Sequence, residues 1–124
     1  MIKNNKMNED SIDLPDVLER VQNDKELLLE LFDIFQEDFL KKRQILGEAV
    51  AAGDIVKIKE VAHAIKGSSG NLSAKHMHAS CLQLEHLAKS DATTGMDALI
   101  KAMDDQFEQV KVFAAKLKKE WGGG

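Results

Sequence analysis

The chain has 124 residues, 44% of them hydrophobic, with one proline and no tyrosine, which allows one core at most and favours helices over a sheet. Its net charge of -4, with 31% charged residues, argues against a nucleic-acid binder, which would carry a basic excess and interleaved aromatics. No apolar run approaches the roughly 20 residues of a membrane span, and the polar start is unlike a signal peptide, so cytoplasmic residence is expected.

Residues 1–11 read as a flexible segment, and five helical segments follow with no strand or repeat. The first, Pro15 to Val21, has Asp13 as its cap and proline near the first turn, where a missing N–H is tolerated. The second, Lys25 to Ala52, carries Leu28, Leu31, Phe32, Phe35, Phe39, Leu46, Ala49 and Val50 on one stripe and ends at Gly53. Asp54 caps the third, Ile55 to Ser69, and the short Gly53-Asp54 connection predicts an antiparallel hairpin. Ser73 is expected to open the fourth, which runs to Lys89 with Met77, Cys81, Leu84, Leu87 and Ala88 inside. Thr93 or Thr94 precedes the fifth, Met96 to Trp121, with Leu99, Met103, Phe107, Val110, Phe113, Ala114 and Leu117 as its apolar positions. The pattern predicts an all-α fold over residues 12–121: an antiparallel up-and-down four-helix bundle with an additional short N-terminal helix as a lid. Residues 122–124 read as a linker stub or artificial chain end. The lone Cys81 falls on an apolar face and is expected to be a buried, structural thiol.

At about 100° per residue, Ile55, Ile58, Val61, Ala62, Ile65 and Ser69 share one face of the third helix, and His63 stands roughly 135° from its centre. The imidazole is therefore expected in water. On its own side lie Lys59 at i−4, Lys66 at i+3 and Gly67 at i+4, so two ammonium groups flank the ring while the next turn carries no side chain. Such a place suits an anion carried by something large. Glycine in a helix costs about 1 kcal/mol relative to alanine, so Gly67 and Gly70 mark either the close approach of another molecule or the fraying of the helix end. A Cβ at Gly67 is expected to stand next to His63.

On the fourth helix Glu85 sits about 70° from the apolar stripe. It is either a solvated boundary charge or the acceptor for Nδ1–H of His63, an arrangement that leaves Nε2 as a nucleophile. Counting outward from Gly53 puts His63 level with Arg43, so Phe39, Lys42 and Arg43 are expected beside it, Lys42 as a snorkelling rim lysine or as a third cation. His76, His78 and His86 lack the spacing and clustered carboxylates of a metal site. No phosphate-cradling glycine loop or nucleophile elbow is present, which argues against an autonomous enzyme.

The run His63-x-x-Lys66-Gly67-Ser68-Ser69-x-Asn71-Leu72-x-Ala74 resembles the phosphoacceptor motif of histidine-containing phosphotransfer (HPt) domains. The likeness extends over about residues 12 to 90, through Ala52-Gly53-Asp54 and Cys81-Leu82-Gln83-Leu84-Glu85. It implies a phosphocarrier of a two-component phosphorelay, in which His63 accepts a phosphoryl group from a receiver-domain aspartate or a kinase and passes it to a response-regulator aspartate. On that reading Lys66, with Lys59 in support, stabilises the phosphoryl oxygens, and Gly67 and Gly70 admit the partner. The expected partners are receiver domains of response regulators or a hybrid sensor histidine kinase, with no nucleic acid and no membrane insertion. No cofactor is expected in this chain, magnesium being held by the partner receiver, and the chain itself is expected to be a monomer. Two positions depart from the family pattern: Ser73, where glycine is usual and where serine reads as an N-cap, and residues 20–24, which lack the glycine often found before the second helix. The alternative is a non-phosphorylated helical-bundle adaptor for a receiver or partner helix, although such a protein would typically have lost the histidine.

Overall fold

Helix boundaries follow from aspartates. In this computed structural model, which describes residues 11–90 and 93–122, Asp13, Asp24 and Asp54 each accept a hydrogen bond from the backbone N–H three residues on, at 3.2, 3.0 and 3.1 Å. They start α1 (Leu14–Arg20), α2 (Lys25–Ala52) and α3 (Ile55–Asn71). Gly53 ends α2 at φ 68°, a left-handed conformation that strains other residues, and the corner folds α3 back along α2. With α4 (Lys75–Lys89) and α5 (Met96–Leu117) the chain completes an antiparallel up-and-down four-helix bundle, to which Lys118–Gly122 add one π-helical turn. No strand occurs among the described residues.

One expected cap, Ser73, proves to be something else. Ser73 takes φ 57°, directly after α3, with its N–H bonded back to the Gly70 carbonyl at 3.0 Å, and α4 starts behind Ala74 without a side-chain cap. A left-handed residue is what the corner requires, so glycine is the easy occupant and serine carries a cost of roughly 1–2 kcal/mol. Serine is held there by α1: its hydroxyl donates to Asp16, its carbonyl accepts from the Asp13 N–H at 3.0 Å, and Lys75 reaches Asp13 at 2.9 Å. These bonds fasten the short helix over the α3–α4 turn. Gln22 and Asn23, at φ 55° and 62°, make the α1–α2 corner where the family resemblance leads one to expect glycine. The last corner uses Gly95, at φ 93°, and neither Thr93 nor Thr94 caps α5.

The core is dense between α2 and α5, where Phe39 stacks on Phe107 with ring centroids 4.2 Å apart and Phe32 meets Phe113 edge-on at 6.4 Å. Burial of such side chains stabilises by about 1.5–3 kcal/mol each. Ile58 and Ile65 from α3 and Met77 and Leu84 from α4 fill the opposite half. On α5 the buried line is Met96, Ile100, Met103, Phe107, Val110, Ala114 and Leu117, so the first two turns face inward through Met96 and Ile100 and leave the expected Leu99 half-buried. Ile12, ahead of α1, and Val17 within it close the bundle end, and Ser11, assigned from sequence to a flexible segment, is buried. Residues 1–10 of that segment and residues 123–124 of the expected stub lie outside the described residues. At the other terminus Lys25 Nζ stands 5.1 Å over the Trp121 ring, docking the π-helical turn on the start of α2. No helix among the described residues is long and apolar enough to cross a membrane.

Candidate functional site

His63 stands midway along α3 on the face away from the core, with 71% of its side chain exposed. Antiparallel beside it runs α4, and from there Glu85 brings Oε2 to 2.9 Å from Nδ1 of the imidazole. Glu85 is only 6% exposed. Its second oxygen, Oε1, forms a charge pair with the ammonium of Lys66 at 2.6 Å, one turn beyond His63 on α3. One buried carboxylate thus holds an imidazole with one oxygen and a lysine with the other. Burial pushes the Glu85 carboxyl up, but the contacts with Lys66 and His63 outweigh it and hold the group below its ordinary value. An ionised carboxylate only accepts hydrogen bonds, so Nδ1 carries the proton and Nε2 of the neutral ring is left with a free lone pair.

From His63 an open groove of about 650 Å³ runs between α3 and α4, lined by Ile55, Val56, Lys59, Glu60, Ala88 and Lys89 as well as by His63 and Glu85. Lys59 lies on it as the spacing predicts, whereas Lys89 and the apolar floor are not visible in the motif. A second hollow of similar size, about 660 Å³, lies by Ile12, Pro15, His76 and Phe113 and holds no comparable nucleophile.

Several expected neighbours are elsewhere. Phe39 is in the core against Phe107, Lys42 pairs with Asp38 on its own helix, and Arg43 sends Nε and Nη2 to Asp104 of α5 at 2.7 and 3.1 Å. Hairpin counting gives a level along the bundle but not a direction around the helix, and the groove is walled by α3 and α4 instead of α2. Lys66, expected to point at a bound anion, is 21% exposed and turned to Glu85. The signal for this was in the spacing: a group that reaches Nδ1 from the next helix also comes within range of residue i+3. A Cβ at Gly67 meets nothing within 4 Å, the imidazole included, while one at Gly70 meets Cδ2 of His78 at 3.4 Å, an ordinary contact, so packing within the chain demands neither glycine. Since α3 continues to Asn71, neither glycine frays it. Cys81 is buried, and burial, with the Glu85 charge second, pushes its thiol up to about 12, which keeps it unreactive. Among the described residues no three His, Cys, Asp or Glu side chains gather as a metal site.

The family model described as Hpt domain matches residues 30–113, a stretch that holds His63, Lys66 and Glu85 together with most of the bundle. The chain belongs to the Hpt domain family. This Hpt domain is similar in structure to histidine-containing phosphotransfer protein B (HptB) from Pseudomonas aeruginosa PAO1, with a TM-score of 0.83 and 24% identity over 90% of this chain and 96% of that one. At that identity the likeness establishes the bundle fold. No curated protein sequence matches this Hpt domain. Family membership places it among phosphotransfer proteins, which are carrier modules.

Proposed function

We propose that this Hpt domain accepts a phosphoryl group on Nε2 of His63 from a receiver-domain aspartate, or from a kinase, and passes it to the aspartate of a response regulator. The observation that carries this reading is an exposed ring whose Nδ1 is taken by a buried carboxylate, so that the nitrogen facing outward is the nucleophilic one. Nε2 attacks phosphorus, the N–P bond forms, and the P–O bond to the aspartyl group breaks as that carboxylate leaves. No proton has to move. The ring becomes a phosphorylated imidazolium that still donates Nδ1–H to Glu85, and the carboxylate offsets the new positive charge. Return transfer runs the same steps backwards. The open space over Gly67 and the groove leading from Lys59 give a partner room to reach the ring. On this reading the magnesium and its acidic pocket belong to the receiver, and the domain is a cytoplasmic monomer that makes no phosphoryl group of its own.

Incubation with a phosphorylated receiver is expected to transfer label to the chain in an acid-labile, alkali-stable form. His63→Gln is expected to abolish that label while lowering the stability of the fold by about 1 kcal/mol, because the ring is exposed but donates to the buried Glu85 carboxylate. Label persisting in the variant removes His63 from the role, and a parent that accepts none leaves the adaptor reading.

A further inference from the structure

Among the described residues only Gln22, Asn23 and Ser73 hold a left-handed backbone without being glycine, and all three lie where α1 joins the bundle. Gln22 and Asn23 turn the chain from α1 into α2, and Ser73 is the residue to which α1 is tied. Such conformations persist only where surrounding bonds impose them. At Ser73 those bonds come from α1 and its cap: the hydroxyl donates to Asp16, the carbonyl accepts from the Asp13 N–H at 3.0 Å, and Lys75 reaches Asp13 at 2.9 Å. We propose that α1 is a strap that orders the last turn of α3 for docking at His63, with Asp16 and Ser73 as positioning residues: closed, it holds the glycine-bearing turn beyond the imidazole, and released, it lets that turn loosen. The inference rests on the reading of His63 as a phosphoacceptor that a partner approaches over Gly67.

The composition of that turn makes a strap necessary. Gly67 and Gly70 stand four and seven residues beyond His63, each weakens the helix, and packing within the chain demands neither. No basic side chain in the last turn serves the free carbonyls. They are closed by the corner instead: the N–H groups of Leu72 and Ala74 donate to the Ser69 carbonyl at 3.1 and 2.9 Å, and that of Ser73 to the Gly70 carbonyl at 3.0 Å. The corner in turn requires Ser73 in its left-handed state, and α1 keeps it there. Asp16 and Ser73 line one hollow of about 200 Å³ together with Gly70, so the tie and the glycine turn adjoin. Both carboxylates are firmly ionised, Asp16 held below its ordinary value by Ser73 first and Asp13 by Lys75 first. A helix of seven residues does not persist by itself, so α1 depends on these ties and on the burial of Ile12 and Val17. Its release is therefore a local event that leaves the four long helices folded.

Amide hydrogen exchange on the full chain tests the coupling without a phosphoryl donor. The amides of Asp13 and Val17 report the strap, those of Ser73 and Ala74 the corner, and that of Phe107 the core. In Asp16→Ala the strap and corner amides are expected to exchange about tenfold faster, together, with Phe107 unchanged. Faster exchange at Asp13 and Val17 alone overturns the proposal, and so does a parent in which α1 exchanges only as slowly as Phe107. Ser73 supplies the second test, because Ser73→Ala keeps the left-handed strain without the tie, whereas Ser73→Gly loses both. Transfer from a phosphorylated receiver is expected to slow several-fold in Asp16→Ala and Ser73→Ala and to stay at the parent rate in Ser73→Gly. Phosphoramidate, a donor too small to need docking, is expected to label His63 equally in all four chains. Parent-rate transfer in Asp16→Ala and Ser73→Ala, a Ser73→Gly as slow as Ser73→Ala, or a matching loss with phosphoramidate each overturns the proposal. Should the parent take label from neither donor, it is the phosphoacceptor reading that fails, and the exchange rates still decide whether α1 holds the corner.

Discussion

The Arg43–Asp104 and Lys66–Glu85 pairs each join neighbouring helices of this bundle, and they are built from similar parts to opposite ends. Between α2 and α5, Arg43 grips Asp104 with two N–H donors, and both groups are satisfied in a half-exposed brace. Between α3 and α4, Lys66 takes one oxygen of a buried carboxylate and leaves the other to an imidazole that opens onto solvent. The first pair closes on itself. The second hands its charge on to a third group, and the difference shows that an interhelical salt bridge becomes part of a site when its geometry leaves one valence unspent beside a nucleophile.

Removing the acid of each pair gives the largest expected contrast. Glu85→Ala frees the ring to take either tautomer and leaves a partly buried lysine without its anion, so transfer is expected to slow and stability to fall by about 1–3 kcal/mol. Asp104→Ala breaks a half-exposed pair and is expected to cost about 1 kcal/mol or less with transfer untouched. Thermal denaturation and transfer rates on the two variants measure both, and equal effects on transfer would erase the distinction between brace and relay.

Acid sharpens the same comparison. Because the folded Glu85 carboxyl is held below its ordinary value of 4.5, its contribution to stability is complete above that value and is lost as pH falls through the lower folded one. The stability gap between the parent and Glu85→Gln is therefore expected to close as the pH falls below 4.5. Asp13 and Asp16 are also held low, by Lys75 and Ser73 first, but both chains share them. A gap that persists undiminished well below that value would contradict the ionised state assigned to Glu85.

The smallest effect concerns the glycines beside the two pairs. A Cβ at Gly67 enters open space, so Gly67→Ala is expected to raise stability by up to about 1 kcal/mol. At Gly47 the new carbon comes within 3.2 Å of Arg43 Nη1, and the gain there is expected to be smaller because the guanidinium must shift from Asp104. Lengthening the side chain separates structure from use: Gly67→Gln keeps the stabilisation and is expected to hinder the partner, which a transfer assay reads directly.

What the sequence made legible is whatever depends on position along one helix. The exposure of His63, the inward stripes of α2 and α3 and the capping aspartates at 13 and 54 all follow from helical period and local bonding. Glu85 was legible as a candidate because its angle to the α4 stripe leaves it at the edge. What required coordinates was azimuth across helices: Arg43 lies at the counted level yet turns to α5, and Lys66 turns sideways to α4. Ser73 was misread because a cap and a left-handed corner favour overlapping residue types, and only the backbone angle tells them apart.

Trp121 has a use outside this chemistry. It is the sole tryptophan in a chain without tyrosine, and its indole sits against Lys25 at the opening of α2. By the helical rise from Lys25 to Arg43, the level of His63, it lies about 27 Å along the bundle from the imidazole. Near-ultraviolet emission from this protein therefore has one dominant source, and that source reports whether the C-terminal turn is docked on α2. Protonation or phosphorylation of the ring occurs too far away to disturb it. Folding and transfer can thus be followed in the same cuvette, one by an intrinsic fluorophore and the other by label, without attaching a dye near the groove.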